Sequence, residues 1–406
     1  MLKIYVCGPT VYNDVHIGNL RPILTMDLIL KAARVLNIDF KFIHNITDID
    51  DKIINRALQE NVSESEIATK YATYYLDILK KLKVDTVYQY EYVTKNLDII
   101  EDFIKKMTVK NHTYISQNSL YFDIKNNLSH YGIVSKQKIE HMIFDENLRE
   151  HKRFYADFAL WKTTDKGIKY HSSFGIGRPG WHTECAALVY KHFNNDGLDI
   201  HGGGMDLTFP HHENENIQYF AVTDNDITKK WLRTGQINLK GQKMSKSLQN
   251  FILAKDFLNQ YTGDYLKLLF LLNSFTANIN IDDNAINNIE ILLKKIKKIF
   301  FLKYLKNIKS NYDKDKYKNI LRLLYQQKFS DFNKKINDLI KNININKKSN
   351  DISLLTEIFS TLRFDICDFD YLPYVKIYHK WQEHLQNKDY QNADLLRNTL
   401  MEQKLV

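Results

Sequence analysis

"KIYVCGPTVYNDVHIGNLRPIL" (residues 3–24) decides the fold. Residues 3–8 read as a short buried strand broken by Gly8-Pro9, and His16–Asn19 forms a turn. Apolar positions Ile23, Leu24, Leu28, Ala32 and Leu36 then recur at helical spacing over 22–36, and "FKFIHNI" (40–46) reads as a second strand. Strand, glycine-containing turn, helix and strand make a βαβ unit. Such a unit implies a parallel sheet with ligands at the carboxyl ends of its strands. A helix from about Trp181, a strand at "LDIHGGG" (198–204) and a helix opened by Pro210 extend that sheet.

Residues 96–178 carry mixed signals and read as an inserted module. Beyond residue 251 the pattern is almost wholly helical, with a loop expected at 342–350 and an amphipathic segment at 388–406 carrying Tyr390, Ala393, Leu396 and Leu400. A chain of 406 residues exceeds one ordinary core, so several domains are expected. No run reaches the roughly 18 apolar residues of a membrane span, and no signal-peptide core opens the chain. Three scattered cysteines do not make a disulfide framework, which points to a reducing cytoplasm. The formal charge is +9. Ten lysines against two aspartates between Lys294 and Lys318 suit RNA, or equally the solvated face of amphipathic helices.

Two constellations carry chemistry. In "HGGGMDLTFPHHENEN" (201–216), His211 and Glu215 stand at i and i+4 on one helix face. In "GRPGWHTECAAL" (177–188), Cys185 falls in the first turn of a helix, where the dipole favours a thiolate. With Cys7 these give two sulfurs, a nitrogen and an oxygen, a set suited to Zn²⁺ rather than Mg²⁺ or Ca²⁺. The same residues also suit two buried thiols and a polar helix face. The second constellation suits phosphate, although each half alone also reads as an ordinary turn or a surface loop. Gly18 allows close backbone approach, while His16 and Asn19 offer donors at a helix start. Far downstream, Lys243 and Lys246 of "GQKMSKSLQN" (241–250) can neutralise the outer phosphates of ATP.

With these blocks together, the chain resembles the cysteinyl-tRNA synthetases, a class I aminoacyl-tRNA synthetase family. HIGN at 16–19 stands for the class signature, KMSKS at 243–247 is unchanged, and "NITDIDDKII" (45–54), "GRPGWHTEC" and "HGGGMDLTFPHHENE" match family blocks. The resemblance implies a Rossmann-type α/β sheet interrupted by an inserted connective module and followed by an all-α bundle. Its expected divisions are 1–95 and 179–250 for the catalytic domain, 96–178 for the insert, 251–290 for stem contacts and 291–406 for the tRNA-binding bundle.

It also implies one Zn²⁺ on Cys7, Cys185, His211 and Glu215, gripping the substrate sulfur. Mg²⁺ would accompany ATP on His16, Gly18, Asn19, Lys243 and Lys246. Trp181 would close over L-cysteine, with Thr47 and Asp206 at its amino-acid end, and tRNA(Cys) would be the acceptor for a cytoplasmic monomer without an editing domain. A related ligase joining cysteine to an aminosugar in mycothiol synthesis is the alternative. Three departures from the family stand out: Cys7 almost opens the chain, the chain stops at Val406 without the small terminal domain, and Gln249 replaces a glycine after KMSKS-Leu.

Overall fold

The computed structural model describes residues 1–144, 151–244 and 250–406. They form two compact units: residues 1–23, 39–80 and 85–236, and residues 24–38, 81–84 and 237–406. Lys246 and Gln249 lie outside the described residues.

The first unit holds ten strands: β1 (Leu2–Val6), β2 (Phe40–Ile46), β3 (Gln89–Tyr92), β4 (Thr113–Ser116), β5 (Ser119–Phe122), β6 (Phe158–Lys162), β7 (Tyr170–Ser172), β8 (Gly175–Pro179), β9 (Ile200–Gly204) and β10 (Trp231–Thr234). Five of them make a sheet in the order β10-β9-β1-β2-β3. Every neighbouring pair in it is parallel. Ile4, Tyr5 and Val6 are all fully buried, as a central strand covered on both faces requires. Successive strands run to one side of β1 and then restart on the other at β9. That reversal opens a crevice beyond the carboxyl ends of β1 and β9, the place where open α/β sheets bind ligands. The remaining five strands form an antiparallel sheet ordered β4-β5-β6-β8-β7.

Helix α1 (Ile17–Val35) begins five residues before the expected start at 22, because His16 and Asn19 cap it. Next come α2 (Asp51–Glu60), α3 (Glu64–Lys81), α4 (Leu97–Val109), α5 (Thr183–Phe193) and α6 (Glu213–Thr223). Pro210 does not itself open α6. A wider turn over Thr208–His212 comes first, and the helix follows from Glu213. Ile100 and Phe103 of α4, Leu188 of α5 and Ile217 of α6 share one core cluster. Glu213 is fully buried in that core. Its carboxylate accepts the backbone N–H groups of Gly132 at 2.9 Å and Ser135 at 2.7 Å, which ties residues 132–135 to the start of α6.

In the second unit, β11 (Ile237–Leu239), β12 (Gln242–Lys243) and β13 (Ile279–Ile281) form a small sheet. Strand β13 interrupts the helical stretch expected beyond 251. Ile279 and Ile281 are buried around an exposed Asn280, a period of two that three residues carry too briefly to stand out. Eight helices follow: α7 (Ala254–Gln260), α8 (Gly263–Leu271), α9 (Asp283–Leu305), α10 (Lys314–Tyr325), α11 (Phe329–Asn346), α12 (Ser349–Thr361), α13 (Leu372–Gln386) and α14 (Tyr390–Glu402). The loop expected at 342–350 shrinks to Lys347 and Lys348, since Ile336, Leu339, Ile340 and Ile343 are all buried and carry α11 onward. In α14, Ala393 and Leu400 are buried as their spacing foretold, whereas Leu396 is half-buried and Tyr390, at the first position of the helix, is exposed. Within α9 the lysines of the basic run lie among buried Ile296, Ile299 and Phe300, as on the outer side of an amphipathic helix, and the run continues past the end of α9 into α10. Among the described residues no helix is long and apolar enough to cross a membrane.

Candidate functional site

The chain leaves β1 at Cys7, and that exit is held on both sides. Cys7 donates its N–H to Gly202 O of β9 at 3.0 Å. Gly8 donates to Asn45 Oδ1 of β2 at 2.7 Å. Glycine is required at position 8, since a Cβ there would sit 1.7 Å from Asn45 O. Thr47 continues the clamp, donating its N–H to Pro9 O and accepting from Val11 N–H, each at 3.1 Å.

At this crevice Cys7, Cys185, His211 and Glu215 converge, with one donor atom from each lying within 4.8 Å of all the others. The four arrive from the end of β1, the first turn of α5, the wide turn and α6. Cys185, His211 and Glu215 are buried. His211 Nε2 lies 2.7 Å from Glu215 Oε1, and Cys7 Sγ lies 3.4 Å from the same oxygen. His201 Nε2 approaches Glu215 Oε2 to 2.7 Å, but out of hydrogen-bond alignment, so both buried atoms lack a directional partner.

Charge is concentrated here. Burial pushes the Glu215 carboxyl up, but His211 and His201 outweigh it and hold the group well below the usual carboxylate range. Burial pushes the Cys185 thiol well up, reinforced by Cys7. Burial also works against ionisation of Cys7, yet Cys185 and the imidazoles of His201 and His211 bring that thiol well down. The protons that these thiols, the carboxylate and the imidazoles share are what a bound cation would displace.

The donor set fits Zn²⁺. A tetrahedral zinc with bonds of about 2.0–2.3 Å separates its ligand atoms by roughly 3.2–3.8 Å, within reach of the observed cluster. Outer partners are in place as well. His182 Nδ1 stands 3.1 Å from His211 Nδ1. Burial holds His182 well below its usual range, so the ring is neutral and its Nδ1 can accept from His211 Nδ1, the arrangement in which His211 Nε2 faces the cluster as a ligand. Trp181 is 39% exposed and stacks on His211 with ring centroids 4.7 Å apart.

The other expected residues are placed as follows. Thr47 is buried; its hydroxyl accepts from Asn45 Nδ2 at 3.1 Å and donates to Glu184 Oε1. Burial raises the Glu184 carboxyl well above its usual range. Asp206 is exposed on the short turn Met205–Leu207 that follows β9.

His16, Gly18 and Asn19 are brought together at the start of α1. His16 Nδ1 accepts from Gly18 N–H, and Asn19 Oδ1 accepts from His16 N–H, each at 3.1 Å, a reciprocal cap. Because Nδ1 accepts, the neutral ring carries its proton on Nε2. Because Asn19 accepts through oxygen, its amide hydrogens remain for a ligand. Lys243 lies exposed in β12 of the second unit, pairing with Asn238.

Sequence reasoning missed His201, His212, Trp231 and Arg233. His201 and His212 complete a second donor group with Cys7 and Glu215, again within 4.8 Å of one another. Trp231 lies against both rings, at centroid distances of 4.5 and 4.7 Å. The histidines stand inside quoted motifs, whereas nothing in the spacing of Trp231 or Arg233 marks them.

A family model described as "tRNA synthetases class I (C) catalytic domain" matches residues 1–291. The cysteine–tRNA ligase of Mesomycoplasma hyopneumoniae strain 232 is 43% identical over 401 residues, covering 98% of this chain and 96% of its own length. That of Mycoplasma genitalium is 37% identical over 419 residues, covering 100% of this chain and 96% of its own. That of Mycoplasmopsis pulmonis is 39% identical across 100% of this chain but only 66% of its own length. Among solved structures, Mycobacterium tuberculosis methionyl-tRNA synthetase in complex with methionyl-adenylate aligns with a TM-score of 0.60 at 13% identity, over 98% of this chain and 88% of that one. A second structure of that synthetase, bound by methionyl-adenylate, aligns at 0.61 and 12% identity, over 89% and 82%. At such identities they share the fold.

Proposed function

The chain belongs to the cysteine–tRNA ligase family of class I tRNA synthetases, and from that premise we propose that it activates L-cysteine with ATP and transfers it to the 3′ end of tRNA(Cys). The observation that supports this substrate is the convergence of Cys7, Cys185, His211 and Glu215 within 4.8 Å. These four side chains would hold Zn²⁺. When bound, zinc supplies a soft Lewis-acid position for the substrate thiol. Serine's hydroxyl gains far less there and alanine's methyl nothing, whereas shape alone separates small side chains by only about 10–200-fold. No editing domain is then required.

Trp181 covers the substrate side chain, while Thr47, through the Glu184 it bonds, and Asp206 serve the amino-acid end. The cysteine carboxylate attacks the α-phosphate of Mg·ATP, forming cysteinyl-adenylate and releasing pyrophosphate. His16 donates from Nε2 and Asn19 from its amide to the charge that builds on the α-phosphate. Lys246, with Lys243 in support, holds the leaving pyrophosphate. The terminal ribose hydroxyl of tRNA then attacks the adenylate carbonyl and AMP departs. No side-chain nucleophile takes part, so rate comes from positioning and electrostatics. Residues 251–290 contact the stem of the tRNA, and the lysine-bearing bundle at 291–406 binds the tRNA on its anticodon side. The enzyme acts as a monomer in the cytoplasm.

Metal analysis, cysteine-dependent pyrophosphate exchange and tRNA charging on wild type and Cys185→Ser test this reading. The wild type should carry one zinc and charge tRNA(Cys), and Cys185→Ser should lose both. Exchange without charging of any tRNA would overturn the acceptor, and full activity of metal-free Cys185→Ser would overturn the metal.

A further inference from the structure

Cys7 and Glu215 are shared by two donor groups, with Cys185 and His211 or with His201 and His212, and six donors in all are more than one cation can use. What assigns His212 is its far nitrogen. Arg233 Nε donates to His212 Nδ1 at 3.2 Å. A guanidinium has no acceptor, so Nδ1 must supply the lone pair. The proton of the neutral ring therefore sits on Nε2, which lies 3.7 Å from Cys7 Sγ, within range of an N–H···S bond. An imidazole nitrogen that carries hydrogen has no lone pair for a metal.

The surroundings enforce that orientation. Arg233 is packed over the Trp231 ring, its guanidinium carbon 4.7 Å from the centroid, and the same ring lies against His212. On the other side, a Cβ at Gly203 would stand 2.9 Å from His212 Nε2 and 3.0 Å from Cε1. Glycine at 203 is thus what lets this ring lie against β9 with Nε2 towards Cys7.

Resting on the zinc reading above, we propose that Arg233, His212 and Cys7 form a directed hydrogen-bond chain. It removes His212 from the competing ligand group and aims an N–H at the Cys7 sulfur, fixing where that sulfur sits. Arg233 and His212 are positioning residues: they act through Cys7. A donor to a ligating sulfur lowers its electron density, which tunes how strongly the metal draws in a further thiolate.

The test uses the full-length chain with Zn²⁺ alone, its affinity measured by chelator competition, and with Co²⁺ alone, read by the sulfur-to-cobalt charge-transfer band. His212→Phe keeps a ring against Trp231 and loses the donor; His212→Gln keeps an N–H near the place of Nε2; Arg233→Met releases Nδ1. His212→Phe and Arg233→Met should lose about 10–100-fold in zinc affinity, with the cobalt band moved to longer wavelength, while His212→Gln stays near wild type. Unchanged affinity and band in His212→Phe would overturn the chain. So would a loss in His212→Gln equal to that in His212→Phe, which would assign the effect to packing. A wild type that takes up no zinc defeats the metal reading and this inference with it; a wild type that binds zinc while His212→Phe does the same defeats the inference alone.

Discussion

Glu215 is fully buried between His201 and His211, and its charge is tolerable only because partners or a cation offset it. Glu215→Gln keeps the shape and removes the charge. Its zinc affinity should fall by at least about tenfold, by analogy with the loss of partners around other metal sites, and chelator competition reads it directly. Lys246 makes the complementary case for phosphate. Lys246→Ala should slow cysteine-dependent pyrophosphate exchange by about 10²–10³-fold, the usual cost of removing one donor from a developing charge, while cysteine binding changes little. Equal losses in both quantities would count against its role with pyrophosphate.

Two jobs coincide at the start of α1, where Asn19 both caps the helix and offers an amide to a ligand, and substitution can separate them. Asn19→Asp retains an acceptor for the His16 N–H and places an anion where the helix dipole favours it. It should melt with the wild type yet lose exchange activity, because a carboxylate repels the α-phosphate. Asn19→Ala should lose about 1 kcal/mol of stability as well. The thermal melt and the exchange assay together read the split; Asn19→Asp active at the wild-type rate would refute the ligand role. How far each element was legible follows from where its signal lay. Strand β2 carries Phe40, Phe42, Ile43 and Ile46 in seven residues and was read to the residue. Spacing and side-chain chemistry made the four proposed ligands candidates beside a reading as buried thiols and a polar helix face, and it was the family resemblance that singled them out, because Cys7 and Cys185 stand far apart in the chain. The start of α1 was half legible: the turn at 16–19 was read as a helix start, but the apolar spacing begins only at 22 and the cap depends on a histidine side chain. Arg233 was not legible at all. Its part is set by which atom of His212 it touches, and β9 pairs with β10 only in the folded sheet. Strand β13 was missed because its pairing with β11 spans some forty residues.

In the second unit the buried pair Asp264 and Lys267 of α8 links stability to pH, with Lys267 Nζ bonded to Arg363 O at 2.5 Å and 4.0 Å from Asp264 Oδ1. Burial raises the Asp264 carboxyl from 3.8 to about 6. The folded chain therefore binds that proton more tightly, and stability falls as pH rises from about 4 to 6. Burial lowers the Lys267 ammonium from 10.5 to about 8, so the folded chain gives up that proton first and stability rises between about 8 and 10.5. At about 1.4 kcal/mol per unit, each effect amounts to roughly 3 kcal/mol. Urea midpoints should pass through a minimum near neutrality, and Lys267→Met should abolish the rise above pH 8. At the level of the whole enzyme, the claim that everything else depends on is a metal that takes the substrate's sulfur. X-ray absorption at the zinc edge counts sulfur neighbours directly. The account predicts two sulfurs in the free protein, three after addition of L-cysteine, and two after addition of L-serine. A count that stays the same when cysteine binds would contradict it.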